Sequence, residues 1–380
     1  MIITTVVMKI GINCFPTVGG SGIVATQLAI EFARKGHDIH LISYDTPFLL
    51  RMFRHPNITL DLVDILSYPL FKDIGTPYTI LAASKLVNIV KKWDLDLLHI
   101  HYAIPVGVSA FLAKDITNVP VVITAHGSDI HTLGVDPAYN PIISHVLNSV
   151  DGLSTVSQYM KRELETKFGN NQDIEVLYNP IDMEKYKRIE TQLCDFRIKY
   201  EKNFVHVSNF RKIKNTPFIV ESFAEVVKEY PEVGLIMVGE GPERKKCEDI
   251  ANKLGIRDNV IFQGIRVSIT PIYNCASALL SASSNESFGL TIAEAMSCEI
   301  PVIAPNVGGI PEVLDHEVNG FLYEPDDKES LTKYMILFLD DEALVRKMGQ
   351  KGRKKVEENF ESSEISDKYL KWYQKTLDAL

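Results

Sequence analysis

Residues 8–36, MKIGINCFPTVGGSGIVATQLAIEFARKG, give the clearest indication of the architecture of the first half of the chain. Met8–Cys14 is short and apolar, as a buried strand is, and it leads into the glycine run Gly19–Gly22. Ile23–Lys35 then repeats apolar residues at helical spacing and stops at Gly36. A strand, a glycine-rich turn and a helix open a βαβ unit, so this stretch predicts a parallel sheet covered by helices.

The alternation of predicted strands and helices continues along the chain and starts again after an interruption. Further strand candidates are Ile39–Ser43, Leu97–His101, Val121–Thr124, Gly152–Thr155, Phe204–Ser208, Gly234–Val238, Val260–Gln263, Ala278–Ser281 and Pro301–Ala304. The interruption, Glu184–Lys202, is charged, follows Asn179-Pro180 and has no apolar period, so it predicts a linker.

The predicted fold class is therefore α/β, with two doubly wound Rossmann-like domains over residues 1–183 and 203–362 and a linker at 184–202. The last segment, residues 363–380, is an amphipathic helix and a candidate to pack back on the first domain. We expect a ligand cleft between the two domains, at the carboxyl ends of their strands.

Composition restricts the class of function. The chain has 380 residues, 46% of them hydrophobic, and a net charge of −9, which disfavours a nucleic-acid binder or a domain docked on anionic lipid. The five cysteines form no C-x-x-C pair, so they predict reduced thiols in a cytoplasmic enzyme. The apolar start is too short to span a bilayer and no export signal is visible; Met8 is a candidate for the true start. A homo-oligomer is left open.

The strongest chemical signal is the segment ESFGLTIAE, from Glu286 to Glu294. It follows a small-residue strand and predicts a helix that starts near Phe288, whose first N–H groups suit a diphosphate. The two carboxylates then face different parts of one extended ligand. Alone, this spacing would equally fit a helix cap and a surface charge; the Phe-Gly-Leu centre and the small residues of the helix favour a ligand site.

A second site candidate is the segment HVSNFRKIK, from His206 to Lys214. It follows a predicted strand and carries several cations, which can neutralise the charge that develops on a leaving diphosphate. Lys214 is the first candidate for this role and Arg211 the second. The alternative interpretation is a solvated charged loop.

The glycine run and the histidines of the first half suggest a ligand site. Gly20 lets a ligand approach the backbone and Ser21 adds a hydroxyl donor, but the run is not G-x-G-x-x-G, so it disfavours a nicotinamide site. His99 and His101 lie two apart on one predicted strand, and His126 follows the next strand. With Asp94 and Asp96 they could suggest a metal site, yet we expect no metal or cofactor. We interpret His126 as a hydrogen-bond donor and His99 as a packed histidine.

These motifs resemble those of the retaining GT-B glycosyltransferases of the glycogen-synthase-like and sucrose-synthase-like group. The resemblance implies that Glu286 holds sugar hydroxyls of a nucleotide-sugar donor, that Glu294 holds the ribose hydroxyls, and that the base meets the backbone near Gln263–Arg266. One departure is Ser208-Asn209, where most members have Gly-Arg. The implied donor-binding residues are Gly20, Ser208, Asn209, Arg211, Lys214, Gly264, Glu286, Ser287, Phe288, Gly289, Leu290 and Glu294.

A narrower resemblance is to the family of glycosyltransferases that begin bacillithiol biosynthesis. It is carried by CFPTVGGSG (residues 14–22), HIHYAIP (99–105), TAHGSD (124–129) and VSNFRKIK (207–214). It implies UDP-N-acetylglucosamine as donor, L-malate as acceptor and a front-face reaction with retention. The implied acceptor-binding residues are Gly20, Ser21, Tyr102, Thr124 and His126. The implied catalytic residues are Glu286, Lys214, Arg211 and His126.

Three other functions remain open at this point. One is a transferase of the same fold with an inositol phosphate, lipid or polysaccharide acceptor. The second is a nucleotide-sugar epimerase, which needs no acceptor. The third is a sugar-nucleotide binding protein without turnover. UDP release that depends on an acceptor separates the predicted function from the last two.

Overall fold

The computed structural model describes residues 7–17, 19–65, 77–169, 173–189 and 200–380. The chain divides into two compact units, Met1–Pro180 with Ser362–Leu380, and Ile181–Glu361. Residues 184–189, which the sequence assigns to a linker, belong to the second unit. Residues 190–199 of that predicted linker lie outside the described residues.

The described part of the first unit contains one sheet of seven parallel strands in the order β3-β2-β1-β4-β5-β6-β7. The strands are β1 (Lys9–Asn13), β2 (Asp38–Ser43), β3 (Ile58–Leu62), β4 (Leu97–His101), β5 (Val121–Ala125), β6 (Gly152–Thr155) and β7 (Ile174–Val176). The helices between them are α1 (Ser21–Arg34), α2 (Tyr78–Trp93), α3 (Val108–Thr117), α4 (Asn140–Ser149) and α5 (Gln158–Phe168).

The central strands of this sheet are buried because helices cover both of its faces. All five side chains of β4 and of β5 are buried. Gly11 of β1 allows close packing, since a Cβ there would lie 2.5 Å from Leu98 Cδ2. Chain order reverses between β1 and β4, and ligands of such sheets bind at the carboxyl ends of the strands next to this reversal. The loops after β1, β4 and β5 are thus the expected ligand loops.

The second unit repeats this topology, with six parallel strands among its described residues in the order β10-β9-β8-β11-β12-β13. The strands are β8 (Lys202–Val207), β9 (Val233–Val238), β10 (Val260–Gly264), β11 (Ala278–Leu280), β12 (Val302–Pro305) and β13 (Gly320–Tyr323). The helices are α6 (Thr216–Glu229), α7 (Arg244–Lys253), α8 (Thr270–Tyr273), α9 (Leu290–Ser297), α10 (Ile310–Val313), α11 (Lys328–Asp340) and α12 (Glu342–Asn359). The reversal here lies between β8 and β11. The predicted pair of doubly wound Rossmann-like folds is confirmed.

The last helix, α13 (Ser362–Asp378), belongs to the first unit. Its aromatic residues Tyr369 and Tyr373 are fully buried, and the Tyr373 ring meets Phe32 of α1 with centroids 5.7 Å apart. Lys35 at the end of α1 forms a 2.8 Å ion pair with Asp367. Burial of these aromatic side chains fixes the helix against the first unit.

The cysteines differ from the sequence-based expectation at one position. Cys14, Cys247 and Cys298 are free and buried, as expected. Cys275 is disulfide-bonded, so the prediction that all five thiols are reduced is wrong. The absence of a C-x-x-C pair excludes only local pairing, and folding brings distant parts of a chain together. Cys194 lies outside the described residues.

Two properties of the described residues bear on membranes and metals. In those residues, helices long and apolar enough to cross a bilayer are absent. The same part of the chain contains no group of three or more His, Cys, Asp or Glu side chains arranged to hold a metal ion.

Candidate active site

Lys214 and Glu286 meet in the second unit, although 72 positions separate them. Lys214 ends a short turn after β8 and Glu286 lies in the loop after β11, and β8 and β11 are neighbours in the sheet. The Lys214 Nζ donates to Glu286 Oε2 at 2.5 Å, and each side chain is about a quarter exposed, at 23% and 22%. Ser283 also donates to this carboxylate, at 3.4 Å. Lys214, the cation predicted to contact the diphosphate, and Glu286, the carboxylate predicted to contact the sugar, are therefore adjacent, and both side chains are partly exposed to solvent.

Glycines hold the loop of Glu286 in place from behind. Gly309 N donates to the backbone oxygen of Glu286 at 2.8 Å. Gly308 has a φ of +58°, and a Cβ there would lie 2.1 Å from that oxygen; a Cβ on Gly309 would lie 2.2 Å from the oxygen of Ser287. Only glycine allows two backbones to approach so closely. Gly308 and Gly309 therefore support the site from beneath.

The loop after β8 has an equivalent support that the sequence analysis missed. Gly239 and Gly241, with φ values of +124° and +154°, follow β9, and Cβ atoms on them would lie 1.8 Å from Ser208 O and 2.0 Å from Asn209 O. A Gly-x-Gly directly after a predicted strand could have signalled this close approach. The backbone of Ser208 and Asn209 is thereby fixed next to the Lys214 turn.

His206 stabilises the same loop from inside. Its Nδ1 pairs with the Leu280 carbonyl at 2.8 Å and its Nε2 with Ser208 Oγ at 2.7 Å. Burial, together with the nearby Lys214 charge, lowers the pKa of His206 to about 4, so the ring is neutral at physiological pH. Arg211 and Asn209 are exposed at the surface of this loop. Their predicted contacts with a diphosphate remain predictions.

The helix that follows Glu286 has an N-terminus suited to an anion. α9 begins at Leu290, two residues after the predicted start, and its N-cap Gly289 has a φ of +96° and provides no capping side chain. The first N–H groups of a helix carry partial positive charge and need partners. Phe288 is buried, packing edge-on against Phe360 with centroids 5.2 Å apart. Gly289 and the first turn of α9 thus offer backbone N–H groups to a ligand.

Glu294 is buried rather than solvated. It is 5% exposed, and Tyr273 donates a hydrogen bond to its Oε2 at 3.1 Å. Burial raises the pKa of Glu294, and hydrogen bonds from Tyr186 and Tyr273 oppose that shift. Its predicted contact with the ribose stays a prediction. Gly264, the other predicted donor residue, ends β10 with a φ of +64° and its carbonyl accepts from Gly239 N at 2.9 Å.

In the first unit, the loop after β1 is shaped by its glycines. Gly20 has a φ of +61°, and a Cβ added to it would have no described atom within 4 Å, so its outer face is open. Gly22 packs against the same loop, since a Cβ there would lie 2.3 Å from Phe15 O. Ser21, the first residue of α1, is 9% exposed, and no side chain caps this helix. A second uncapped helix N-terminus with an open glycine thus lies after β1.

Tyr102 connects three of the ligand loops. Its ring packs edge-on against Phe15 with centroids 5.5 Å apart, and its hydroxyl pairs with Ser128 Oγ at 2.6 Å. Its backbone has a φ of +120°, which is unfavourable for a residue with a Cβ and is typical of functional sites. The loops after β1, β4 and β5 therefore converge on Tyr102.

The histidines of this unit form two separate hydrogen-bond groups. His99 is fully buried, with Nδ1 paired to Tyr373 OH at 2.6 Å and Nε2 to Thr124 Oγ1 at 2.7 Å. Thr124 also pairs with Ser154 Oγ at 2.7 Å and has no exposed surface. His99 is thus a packed histidine, as expected. Thr124 was predicted to contact the acceptor, but its hydroxyl is engaged inside the sheet, so we now place it beneath the site.

His126, by contrast, reaches the surface of this unit. It is half-buried, and its Nε2 lies 2.9 Å from Nδ1 of His101. Asp129, fully buried, accepts hydrogen bonds from the backbone N–H groups of Ala103, His126 and Gly127. Burial raises the pKa of Asp129, and these N–H groups oppose that shift. Asp129 thereby fixes the loop that presents His126.

Comparison with known proteins defines the class. Residues 195–355 match the family model of glycosyl transferases group 1, and residues 18–185 match that of Glycosyltransferase Family 4. The chain is similar in structure to a sucrose-phosphate synthase from Thermosynechococcus elongatus, with a TM-score of 0.83, 19% identity, and 98% and 100% of the two chains covered. Anabaena HepE, solved in complex with UDP-glucose, gives a TM-score of 0.82 at 20% identity, with 98% and 100% covered.

The chain belongs to the group 1 glycosyltransferases of the GT-B fold and is an enzyme of that class. Its sequence is 39% identical, over 97% of this chain and 97% of the relative, to N-acetyl-alpha-D-glucosaminyl L-malate synthase of Bacillus anthracis. It is 26% identical to alpha-monoglucosyldiacylglycerol synthase of Streptococcus pneumoniae, over 83% and 75% of the two chains.

Proposed function

We propose that this glycosyltransferase moves N-acetylglucosamine from UDP-N-acetylglucosamine to the hydroxyl of L-malate, the first step of bacillithiol biosynthesis. The observation that supports it most is the 39% identity, over 97% of both chains, to the synthase of that product in Bacillus anthracis. We also propose that it acts in the cytoplasm, because nucleotide sugars are made there.

The second unit is proposed to bind the donor. A nucleotide sugar has its labile bond between C1 of the sugar and a diphosphate oxygen. Glu286 suits sugar hydroxyls and Lys214 suits the diphosphate, and the two side chains are in contact at 2.5 Å. A ligand that engages both must therefore place its sugar–phosphate junction beside them. In this arrangement Lys214 shifts part of its interaction from Glu286 to the phosphate as charge develops there.

The chemical step needs no protein nucleophile. The bond from C1 to the diphosphate oxygen breaks, and a bond from C1 to the malate hydroxyl oxygen forms on the same face. The hydroxyl proton passes to the departing phosphate oxygen, so UDP leaves and the anomeric configuration is retained. The enzyme contributes orientation of the two substrates and stabilisation of the leaving group, through Lys214 and the N-terminus of α9.

The first unit is proposed to bind the acceptor. L-malate has two carboxylates, so its site needs hydrogen-bond donors. The loops after β1, β4 and β5 have no Lys or Arg at their described positions 14–17, 19–20, 102–107 and 126–134. Backbone N–H groups at Gly20 and Ser21, the hydroxyl of Tyr102 and the imidazole of His126 are among the uncharged donors of these loops. We propose these four as the acceptor contacts, with Thr124 beneath them.

UDP release from UDP-N-acetylglucosamine, measured with and without L-malate in buffer containing EDTA, tests this proposal. We expect release that requires L-malate and persists in EDTA. Release that L-malate does not affect would contradict the acceptor, and loss of activity in EDTA would contradict a reaction without a metal. D-malate and succinate, which lacks the hydroxyl, are matched control acceptors. Recovery of an epimerised donor without any acceptor would favour the epimerase alternative.

A further inference from the structure

His101 and His126 form an imidazole pair at the acceptor end of the first unit. His101 is the last residue of β4, and its register partner on β5 is Thr124, two positions before His126. The pair is joined by His101 Nδ1 and His126 Nε2 at 2.9 Å. His101 has no exposed surface, whereas His126 is half-buried. A ligand can therefore reach His126 but not His101.

The other nitrogen of His101 restricts where the protons lie. His101 Nε2 is buried and has no hydrogen-bond partner in the described part of the chain. A neutral imidazole carries one N–H and one bare nitrogen. A buried N–H without a partner loses its solvation, and orphaned buried N–H groups are rare in folded proteins. The favoured arrangement thus leaves Nε2 of His101 bare and places its proton on Nδ1, which donates to Nε2 of His126.

The proton of His126 is then fixed by its partner. Because its Nε2 accepts from His101, the single N–H of neutral His126 must be at Nδ1. Burial lowers the pKa of His126 to about 3 and that of His101 well below its usual range, so both rings are neutral near pH 7. The groups around the pair are His99, whose ring centroid lies 4.0 Å from that of His101, and Asp129, which accepts from the His126 backbone.

We infer that His101 is a positioning residue that fixes the tautomer of His126, so that the Nδ1–H of His126 is directed to a carboxylate of the acceptor. The identity of the acceptor rests on the proposed function, whereas the tautomer does not. With the opposite tautomer, His126 would present a bare nitrogen to an anion, which would weaken acceptor binding. Thr124, His99 and Tyr373 form a separate hydrogen-bond group and do not set this proton.

The tautomer can be measured directly in the unliganded enzyme. Long-range proton–nitrogen NMR of histidine-labelled protein distinguishes a protonated from a bare ring nitrogen, and the spectrum of His126→Asn assigns the signal among ten histidines. We expect a protonated Nδ1 and a bare Nε2 in His126. A protonated Nε2 in His126 would overturn the inference, whichever acceptor the enzyme uses.

Two variants of similar size test the consequence for binding. His101→Asn keeps an N–H donor near the position of Nδ1, whereas His101→Leu removes it. We expect His101→Leu to raise the KM for L-malate about tenfold, whereas kcat and the KM for UDP-N-acetylglucosamine change much less. We expect the KM for L-malate of His101→Asn to lie close to that of the wild type, because the asparagine supplies the missing donor. Equal KM values for L-malate in wild type and His101→Leu would overturn the inference. An equal increase in this KM in both variants would also overturn it. Melting temperatures verify that both variants fold. If wild type does not use L-malate, the proposed function fails and the NMR measurement still decides this inference.

Discussion

Gly308→Ala tests whether the backbone beneath Glu286 sets the geometry of the donor site. Gly308 has a φ of +58°, and a Cβ at this position would lie 2.1 Å from the Glu286 carbonyl oxygen. Gly255→Ala is a matched control in the same unit, because Gly255 has a φ of +73° but no described atom within 4 Å of such a Cβ. Both variants force alanine into the left-handed region, which costs roughly 1–2 kcal/mol.

The difference in kcat/KM between the two variants reports the effect of the contact with Glu286, because both variants share the left-handed strain. The carbonyl oxygen of Glu286 must move by about 1 Å to accept the new methyl group, and a misplacement of that size can reduce turnover about 100-fold. We therefore expect kcat/KM of Gly308→Ala to fall about 100-fold below that of Gly255→Ala, and its melting temperature to fall further, because the backbone contact adds to the left-handed strain that both variants share. UDP release with saturating L-malate is the assay. Turnover of Gly308→Ala within a few-fold of Gly255→Ala would refute this account of the loop.

Three further predictions concern charged residues of the second unit. Lys214→Ala should lower turnover about 100-fold through lost stabilisation of the leaving group, whereas Lys212→Ala, an exposed cation of the same turn, should stay near wild type; equal losses would remove Lys214 from the site. Glu286→Ala should reduce turnover far more than UDP affinity measured by calorimetry, and equal losses would contradict its contact with the sugar. Burial raises the pKa of Glu294, so the folded state binds its proton more tightly and stability falls as pH rises above about 4.3. Glu294→Gln should therefore melt higher than wild type at pH 7 and bind UDP more weakly; a lower melting temperature would contradict the burial argument.

The core of each sheet was predictable because strands buried on both faces are continuous apolar runs. β4 (Leu97–His101) and β6 (Gly152–Thr155) have the predicted bounds. The strand β3 (Ile58–Leu62) was missed because it lies at a sheet edge, where its side chains are only partly buried and the apolar signal is weak. β13 (Gly320–Tyr323) is also an edge strand and was not predicted.

The candidate site was predictable where a motif marks a ligand and less so where packing decides. Glu286 and Lys214 follow strands that prove to be neighbours, so their contact agrees with the topology. Tyr273 could not be associated with Glu294 from sequence, because their contact depends on how α8 packs against α9. The burial of Thr124 depends in the same way on His99 and the sheet around it. Motifs indicate which side chains face a ligand loop, but not which hydroxyls are already engaged.

The proposed reaction is retaining transfer of N-acetylglucosamine to the hydroxyl of L-malate. Proton NMR of the product formed from UDP-N-acetylglucosamine and L-malate tests it most directly, because the donor is an α-glycoside and the coupling of the sugar H1 reports the configuration of the product. We predict one product with the small H1–H2 coupling of an α-glycoside and a new bond from C1 to the malate hydroxyl oxygen. A β-linked product, an ester to a malate carboxylate, or free N-acetylglucosamine as the only sugar released would contradict the account.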